Sequence, residues 1–174
     1  MAEFLNKIIP NVMARTDIFW ESFRDTFIMV GWAGGISFLI GIILGITLIV
    51  TRPSGIVPNQ LIYQVIDKIV NFFRSIPFII LLVGLVPLSR AIMGTGIGVK
   101  GAIVPLIFGC APFFTRQMET AMSDVNLGLI EAAQSMGLSN LVSIWSVYLK
   151  GRIAGTARGT TITIISLIGL TAMA

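Results

Sequence analysis

The sequence of 174 residues contains no histidine and a single cysteine, Cys110. These absences exclude an intrachain disulfide, zinc sites of the Cys/His type, and histidine-based acid–base or nucleophilic catalysis. Cys110 stands in an apolar run, where a cysteine usually behaves as a small buried hydrophobe. We therefore expect Cys110 to pack inertly and to take no part in chemistry.

Charged residues are also scarce, at 11% of the sequence, whereas soluble domains average about 25%. Hydrophobic residues make up 55%. The basic residues stand singly and form no patch, so we expect no nucleic-acid partner despite the net charge of +4. A soluble domain and a disordered chain are both excluded by this composition. The sequence predicts an all-α polytopic protein in contact with membrane lipid.

Four apolar runs divide the chain, and each is predicted to be a membrane-spanning helix because about 20 apolar residues cross a bilayer. The predicted spans cover residues 26–50, 69–88, 97–115 and 153–174. We expect an amphipathic N-terminal segment over residues 1–25, a transmembrane domain over residues 26–174, and a polar loop over residues 116–152. Basic residues are slightly more frequent on the side of this loop, which favours a cytoplasmic loop and an external N-terminus.

Prolines interrupt the second and third predicted spans, and Pro77 should kink the second. Transporters place irregular backbone beside a cavity in short spans broken by proline or glycine, although a kinked helix can also serve packing alone. The candidate pathway residues are Ser75, Pro77 and Pro105.

The energy source for any uphill transport is missing from this chain. The acidic residues all lie in or next to polar segments, so no pair of carboxylates inside the membrane is available for a proton relay. No Walker A lysine motif occurs either. Energy would therefore have to come from another protein chain.

The polar loop carries a helical pattern of its own. Asn126 is its predicted N-cap and Gly137 its predicted C-terminal stop. A narrow apolar stripe is predicted between them, with members at helical spacing: Leu129, Ala132, Ala133 and Met136. Such a helix could enter a groove of a partner protein with Glu131 at the rim, or it could pack back on the bundle as an ordinary surface helix.

A resemblance favours the first of these alternatives. The triplet Glu131-Ala132-Ala133, followed after three residues by Gly137, resembles the EAA loop of bacterial ABC importer permeases. Other strings resemble the methionine importer permeases in particular: TRP at 51–53, RSIPFIILL at 74–82, GAIVPL at 101–106, GLIEA at 128–132 and TITI at 161–164. The resemblance extends from Phe27 to Ala174.

The resemblance implies a permease with the fold of type I ABC importers. It implies a homodimer in the bacterial cytoplasmic membrane, bound to ATP-binding cassette subunits and supplied by a substrate-binding lipoprotein. ATP would be bound and hydrolysed on the partner subunit, so the chain would be a transport subunit and no enzyme, with no cofactor of its own. The substrate would be an amino acid, methionine in this branch of the family.

In this family the EAA segment is the coupling helix, which docks in a cleft of the ATPase. Because their positions match the family motif, the resemblance assigns this coupling role to four residues: Glu131, Ala132, Ala133 and Gly137. The supporting apolar side of the helix would consist of Leu129, Ile130 and Met136.

The chain departs from the family pattern at two places. Lys150 stands where the family loop ends on a proline, so we expect a straighter or shifted path into the fourth span. The family continues beyond the position of Ala174 with a glycine-rich segment and a fifth span, so we expect a chain truncated at its C-terminus. The alternative function is a non-transporting membrane remnant or scaffold.

Overall fold

A computed structural model describes residues 13–123 and 125–174, and every regular element within these ranges is helical. The helices are α1 Thr16–Thr51, α2 Gln60–Ser75, α3 Phe78–Gly84, α4 Val86–Met93, α5 Gly98–Ser123, α6 Leu127–Ser135, α7 Asn140–Ser143 and α8 Ile153–Thr171. A π-helical segment, Ile144–Leu149, and a 3₁₀ turn, Lys150–Arg152, join α7 to α8. The predicted all-α fold class is confirmed.

Helix α1 unites two segments that the sequence predicted separately. Its 36 residues correspond to about 54 Å at 1.5 Å per residue. No break falls between the predicted amphipathic segment and the first span, because aromatic rings continue along one face at four-residue spacing. The ring centroids of Phe23 and Phe27 are 4.8 Å apart across the predicted boundary. Residues 1–12 of the predicted N-terminal segment lie outside the described residues.

The second predicted span is not a single helix, and this part of the prediction is wrong. Helix α2 ends at Ser75, and Ile76 adopts extended backbone with φ −86° and ψ 123°. A residue before proline is driven out of the helical region by the proline ring, so Pro77 ends the helix instead of kinking it. The apolar run continues as the short helices α3 and α4.

Three helices among the described residues are long and apolar enough to cross a membrane, where the sequence predicted four. They are Thr16–Thr51, Gly98–Ser123 and the continuous helical path Asn140–Thr171. The last of these begins 13 residues before the predicted start of the fourth span, because the helical path passes through Lys150 without interruption.

Helix α5 is the centre of the bundle and packs against α1, α2, α3, α4 and α8. It includes Pro105 and Pro112 and ends at Ser123, so the first residues of the predicted polar loop are helical. Glycines of α1 allow the close approach of α5. A Cβ on Gly41 would lie 2.6 Å from Cδ1 of Phe114, and a Cβ on Gly45 would lie 2.6 Å from Cβ of Met118.

Two buried clusters form the core of the bundle. The first, called here the lower cluster, comprises Ile49, Ile56, Phe114, Met118, Met122, Val125, Ile130 and Tyr148. The second comprises Met29, Ala33, Ala102, Leu106, Cys110 and Leu167. Large apolar side chains outside the clusters stay exposed, for example Leu39 and Ile165. Exposed apolar surface on long helices suits contact with lipid.

Candidate functional site

Helix α6 begins and ends where the local sequence predicts. The Asn126 side-chain oxygen accepts a hydrogen bond from the Gly128 N–H at 2.9 Å. At the other end Gly137 has φ +76°, a left-handed conformation that glycine adopts without steric cost. The N–H of Leu138 then reaches back to the Ala133 carbonyl oxygen at 3.1 Å. This satisfies a carbonyl that would otherwise be unpaired at the helix end.

Of the predicted stripe on α6, Ala133 is buried, whereas Leu129, Ala132 and Met136 are exposed. Ile130 and Ala133 are buried, with 5% and 3% of their surface exposed, whereas Leu129 and Met136 are 59% and 72% exposed. Ala132 is also exposed. Among the α6 side chains that the structure describes, Ile130 and Ala133 are the two that pack on the bundle, along one narrow edge of the helix.

The remaining predicted residues form an apolar surface beside that edge. Leu129, Ala132 and Met136 recur at i, i+3 and i+7 and are all exposed, and we call them the outer strip. Glu131 is exposed on the adjoining surface of the helix. Exposed apolar side chains continue beyond the turn at Leu138, Leu141, Val142 and Trp145. A contiguous apolar surface with a charged edge is typical of a protein-binding site.

The buried edge of α6 belongs to the lower cluster. This cluster links Ile130 to residues near the ends of α1 and α5, and to Tyr148 on the π-helical segment. Small displacements of α6 would therefore be felt by two long helices, because close-packed interiors transmit strain.

A polar cluster joins α2 to α5 near the same end of the bundle. The Arg116 guanidinium forms ion pairs with the carboxylates of Asp67 and Glu119 and donates to the Asn71 side-chain oxygen at 2.9 Å. Asn71 in turn donates to Asp67 at 3.1 Å. The sequence analysis missed this cluster, although two local signals were present: Asp67 and Asn71 are four residues apart, and Arg116 and Glu119 are three apart.

The three candidate pathway residues are not brought together. Pro105 is fully buried within α5, whereas Ser75 and Pro77 are exposed at the break between α2 and α3. A cavity of about 320 Å³ lies beside that break. Its lining includes Phe73, Arg74, Ile76 and Phe78 from the break and Gly109, Thr163 and Ser166 from α5 and α8. None of the three candidate pathway residues lines this cavity, and their role in a pathway stays a prediction.

The described residues contain no group of three or more His, Cys, Asp or Glu side chains placed to hold a metal ion. Around Arg116, the carboxylates of Asp67 and Glu119 are committed to ion pairs. The arrangement thus combines an exposed apolar surface on α6, a packed link from α6 to α1 and α5, and a cavity.

Comparison with known proteins identifies the family. A family model described as binding-protein-dependent transport system inner membrane component matches residues 37–174. The D-methionine transport system permease protein MetI of Escherichia coli K12 is 44% identical over 154 residues, which cover 88% of this chain and 69% of the relative. The probable D-methionine transport system permease protein MetI of Vibrio cholerae is 38% identical over 169 residues, covering 97% of this chain and 75% of the relative.

Solved structures agree with this assignment. A chain in an inward-facing structure of the MetNI methionine ABC transporter matches with a TM-score of 0.81 at 44% identity, covering 88% of this chain and 69% of that one. A chain in a crystal structure of an amino acid ABC transporter with histidines matches with a TM-score of 0.74 at 16% identity, covering 94% and 73%, and supports the fold alone. The protein is therefore a member of the family of binding-protein-dependent transport system inner membrane components, with the all-α fold of an ABC importer permease.

Proposed function

We propose that this chain is the permease subunit of an ATP-driven amino-acid importer, with methionine as the substrate. The observation that carries the proposal is the outer strip of α6, an exposed apolar surface on the helix with the Glu-Ala-Ala and glycine pattern. The names of the relatives, which specify D-methionine and methionine transport, support the choice of substrate.

Helix α6 would act as the coupling helix. Leu129, Ala132 and Met136 would enter a cleft of the ATP-binding cassette subunit, and the small side chain of Ala132 would allow close approach. Glu131 would make a charged contact at the rim. Three residues would hold the helix in place: Ile130 and Ala133, which are buried, and Gly137, which is in the left-handed turn.

The proposed assembly places the chain in a membrane and supplies the energy for transport from another subunit. ATP would bind to and be hydrolysed by the cassette subunit, and a substrate-binding lipoprotein would deliver the amino acid on the opposite side of the bacterial cytoplasmic membrane. Two copies of the permease would form the pathway between them, which would open alternately to each side. The break at Ser75 and Pro77, with the adjoining cavity, would contribute to this pathway, whereas Pro105 would serve the packing of α5.

The decisive experiment combines co-purification with uptake. The chain, co-expressed with its ATP-binding cassette subunit, should yield a complex that takes up labelled methionine in proteoliposomes when ATP and the binding protein are supplied. L- and D-methionine are tested separately. Glu131→Gln and Gly137→Val should weaken the complex and uncouple ATP hydrolysis from uptake. The matched control is Glu21→Gln, because Glu21 is exposed on α1 within the first predicted segment.

Two results would contradict the proposal. If both α6 variants keep a full complex and full coupling, α6 is not the coupling helix. If the complex forms but neither isomer of methionine is taken up, methionine is not the substrate, and a non-transporting scaffold becomes the better description.

A further inference from the structure

Tyr148 is the largest fully buried side chain among the described residues. It belongs to the lower cluster together with Ile130, a large buried side chain of α6. Ile49 and Met122, near the ends of α1 and α5, are members of the same cluster. Tyr148 therefore lies within an apolar contact region that links α6 to the long helices.

The hydroxyl of Tyr148 is buried near the Arg52 side chain, and no regular hydrogen bond to it is found within the described residues. The Arg52 Nε is likewise buried, and no hydrogen bond to it is found within the described residues. Buried polar groups in native proteins are nearly always hydrogen-bonded, so an exception calls for an explanation. The hydroxyl thus lies near the Arg52 side chain, where a small shift of either element would form or break a regular hydrogen bond.

Arg52 is attached to a firmly held loop. Its backbone N–H donates to the Leu48 carbonyl oxygen at 3.0 Å and ends α1. The loop then folds back on the helix end, where the Val57 N–H donates to the Val50 carbonyl oxygen at 3.1 Å. A Cβ on Gly55 would lie 2.2 Å from the same oxygen, so only glycine fits there. On this side of the contact the backbone has little freedom to move.

Tyr148 stands on a less regular backbone. The π-helical segment Ile144–Leu149 is closed by the N–H of Lys150, which donates to the Trp145 carbonyl oxygen. The 3₁₀ turn Lys150–Arg152 follows immediately. A π turn or a 3₁₀ stretch inside a longer helix often marks a functional hinge. Tyr148 therefore lies where the backbone hydrogen bonding changes from α to π and then, after Leu149, to 3₁₀.

We infer that Tyr148 is a positioning residue that relays the movement of α6 to α1, its ring through the lower cluster and its hydroxyl through Arg52. The inference rests on the proposed function of α6. Closure of the cassette subunits would displace α6, the irregular helix would yield at the π turn, and Tyr148 would move against the fixed Arg52. The contact would tighten in one state of the cycle and loosen in the other, so that α1 follows α6.

The test removes one atom, the hydroxyl oxygen of Tyr148, and measures its effects on coupling and on stability separately. Tyr148→Phe keeps the ring in the cluster and removes only the hydroxyl. Because that hydroxyl lacks a proper hydrogen bond in this state, its loss should leave the Tm of the purified complex unchanged or slightly raised. In proteoliposomes, the number of ATP molecules hydrolysed per methionine taken up should rise about threefold. Arg52→Gln should raise the same ratio, and the double variant should raise it no further than either single change.

The control is Ser22→Ala, which removes an exposed hydroxyl on α1, 27 residues before Ile49 on the same helix. It should leave both the ratio and the Tm at wild-type values. An unchanged ratio in Tyr148→Phe would overturn the inference and leave the proposed function intact. So would a rise in the ratio accompanied by a fall in Tm, because the residue would then be merely structural. A wild-type complex without coupled uptake would overturn the proposed function, and the inference with it.

Discussion

The backbone N–H of Lys150 donates to the carbonyl oxygen of Trp145, five residues earlier, and thereby closes the π turn that precedes α8. By the resemblance described above, Lys150 stands where the loop of ABC importer permeases ends on a proline. Proline has no N–H and could not make this bond. The departure from the family pattern and the local irregularity of the helix therefore coincide at one residue.

Lys150→Pro should break the helical path between α7 and α8. The substitution removes the bond to Trp145 and sets the proline ring against the preceding turn, which costs about 3 kcal/mol in a helix interior. The Tm of the purified protein in detergent measures the loss. Lys150→Ala retains the N–H and is the matched control, so its Tm should stay near the wild-type value. Equal Tm values for the two variants would show that the π turn contributes nothing to stability.

Gly45→Ala should destabilise the contact between α1 and α5. The added methyl group would lie 2.6 Å from Cβ of Met118 and 3.2 Å from the Thr115 carbonyl oxygen, both on the facing helix. Overpacking of this kind costs about 1–3 kcal/mol. Gly35→Ala is the control because nothing lies within 4 Å of the added methyl group. Alanine is the better helix former by about 1 kcal/mol, so this control should raise the Tm. A rise in both variants would contradict the close approach at Gly45.

Arg116→Gln should loosen α2 from α5. It would leave the carboxylates of Asp67 and Glu119 near each other without their common cation, a partly buried arrangement that costs about 1–3 kcal/mol. Arg24→Gln is the control, since Arg24 and Asp25 form an exposed pair at 3.4 Å, which we expect to contribute at most about 1 kcal/mol. Thermal unfolding of both variants gives the comparison, and equal Tm values would show that the Arg116 cluster is no stronger than a surface ion pair.

Leu129→Ala and Ile130→Ala should act on different properties although the residues are neighbours. Ile130 is buried, so its truncation should cost about 2–5 kcal/mol of stability. Leu129 is 59% exposed, so its truncation should leave the Tm nearly unchanged and weaken binding of the cassette subunit. Unfolding curves and co-purification yields separate the two effects. If Leu129→Ala lowers the Tm and keeps the full complex, the outer strip is not a docking surface.

Prediction from the sequence succeeded where the structure depends on local contacts. Asn126 and Gly137 mark the two ends of α6 as predicted, because capping and left-handed turns involve only residues a few positions apart. It failed at Pro77, where a kink was expected and α2 ends instead. The supporting side of α6 that the resemblance implies, Leu129, Ile130 and Met136, stays a prediction; of these three, Ile130 is buried on the bundle. Which edge of α6 is buried depends on its packing against the lower cluster, to which Ile130 belongs.

The sequence by itself determined the class of the protein. Few charges, long apolar runs and the pattern from Glu131 to Gly137 are properties of composition and order, and they require no knowledge of packing. Tertiary structure alone decided which side chains meet. The pairing of Arg116 with Asp67, the approach of Tyr148 to Arg52 and the choice of Ile130 as the buried residue join positions 18 to 96 residues apart. Such contacts depend on how whole helices pack, and no local preference fixes them.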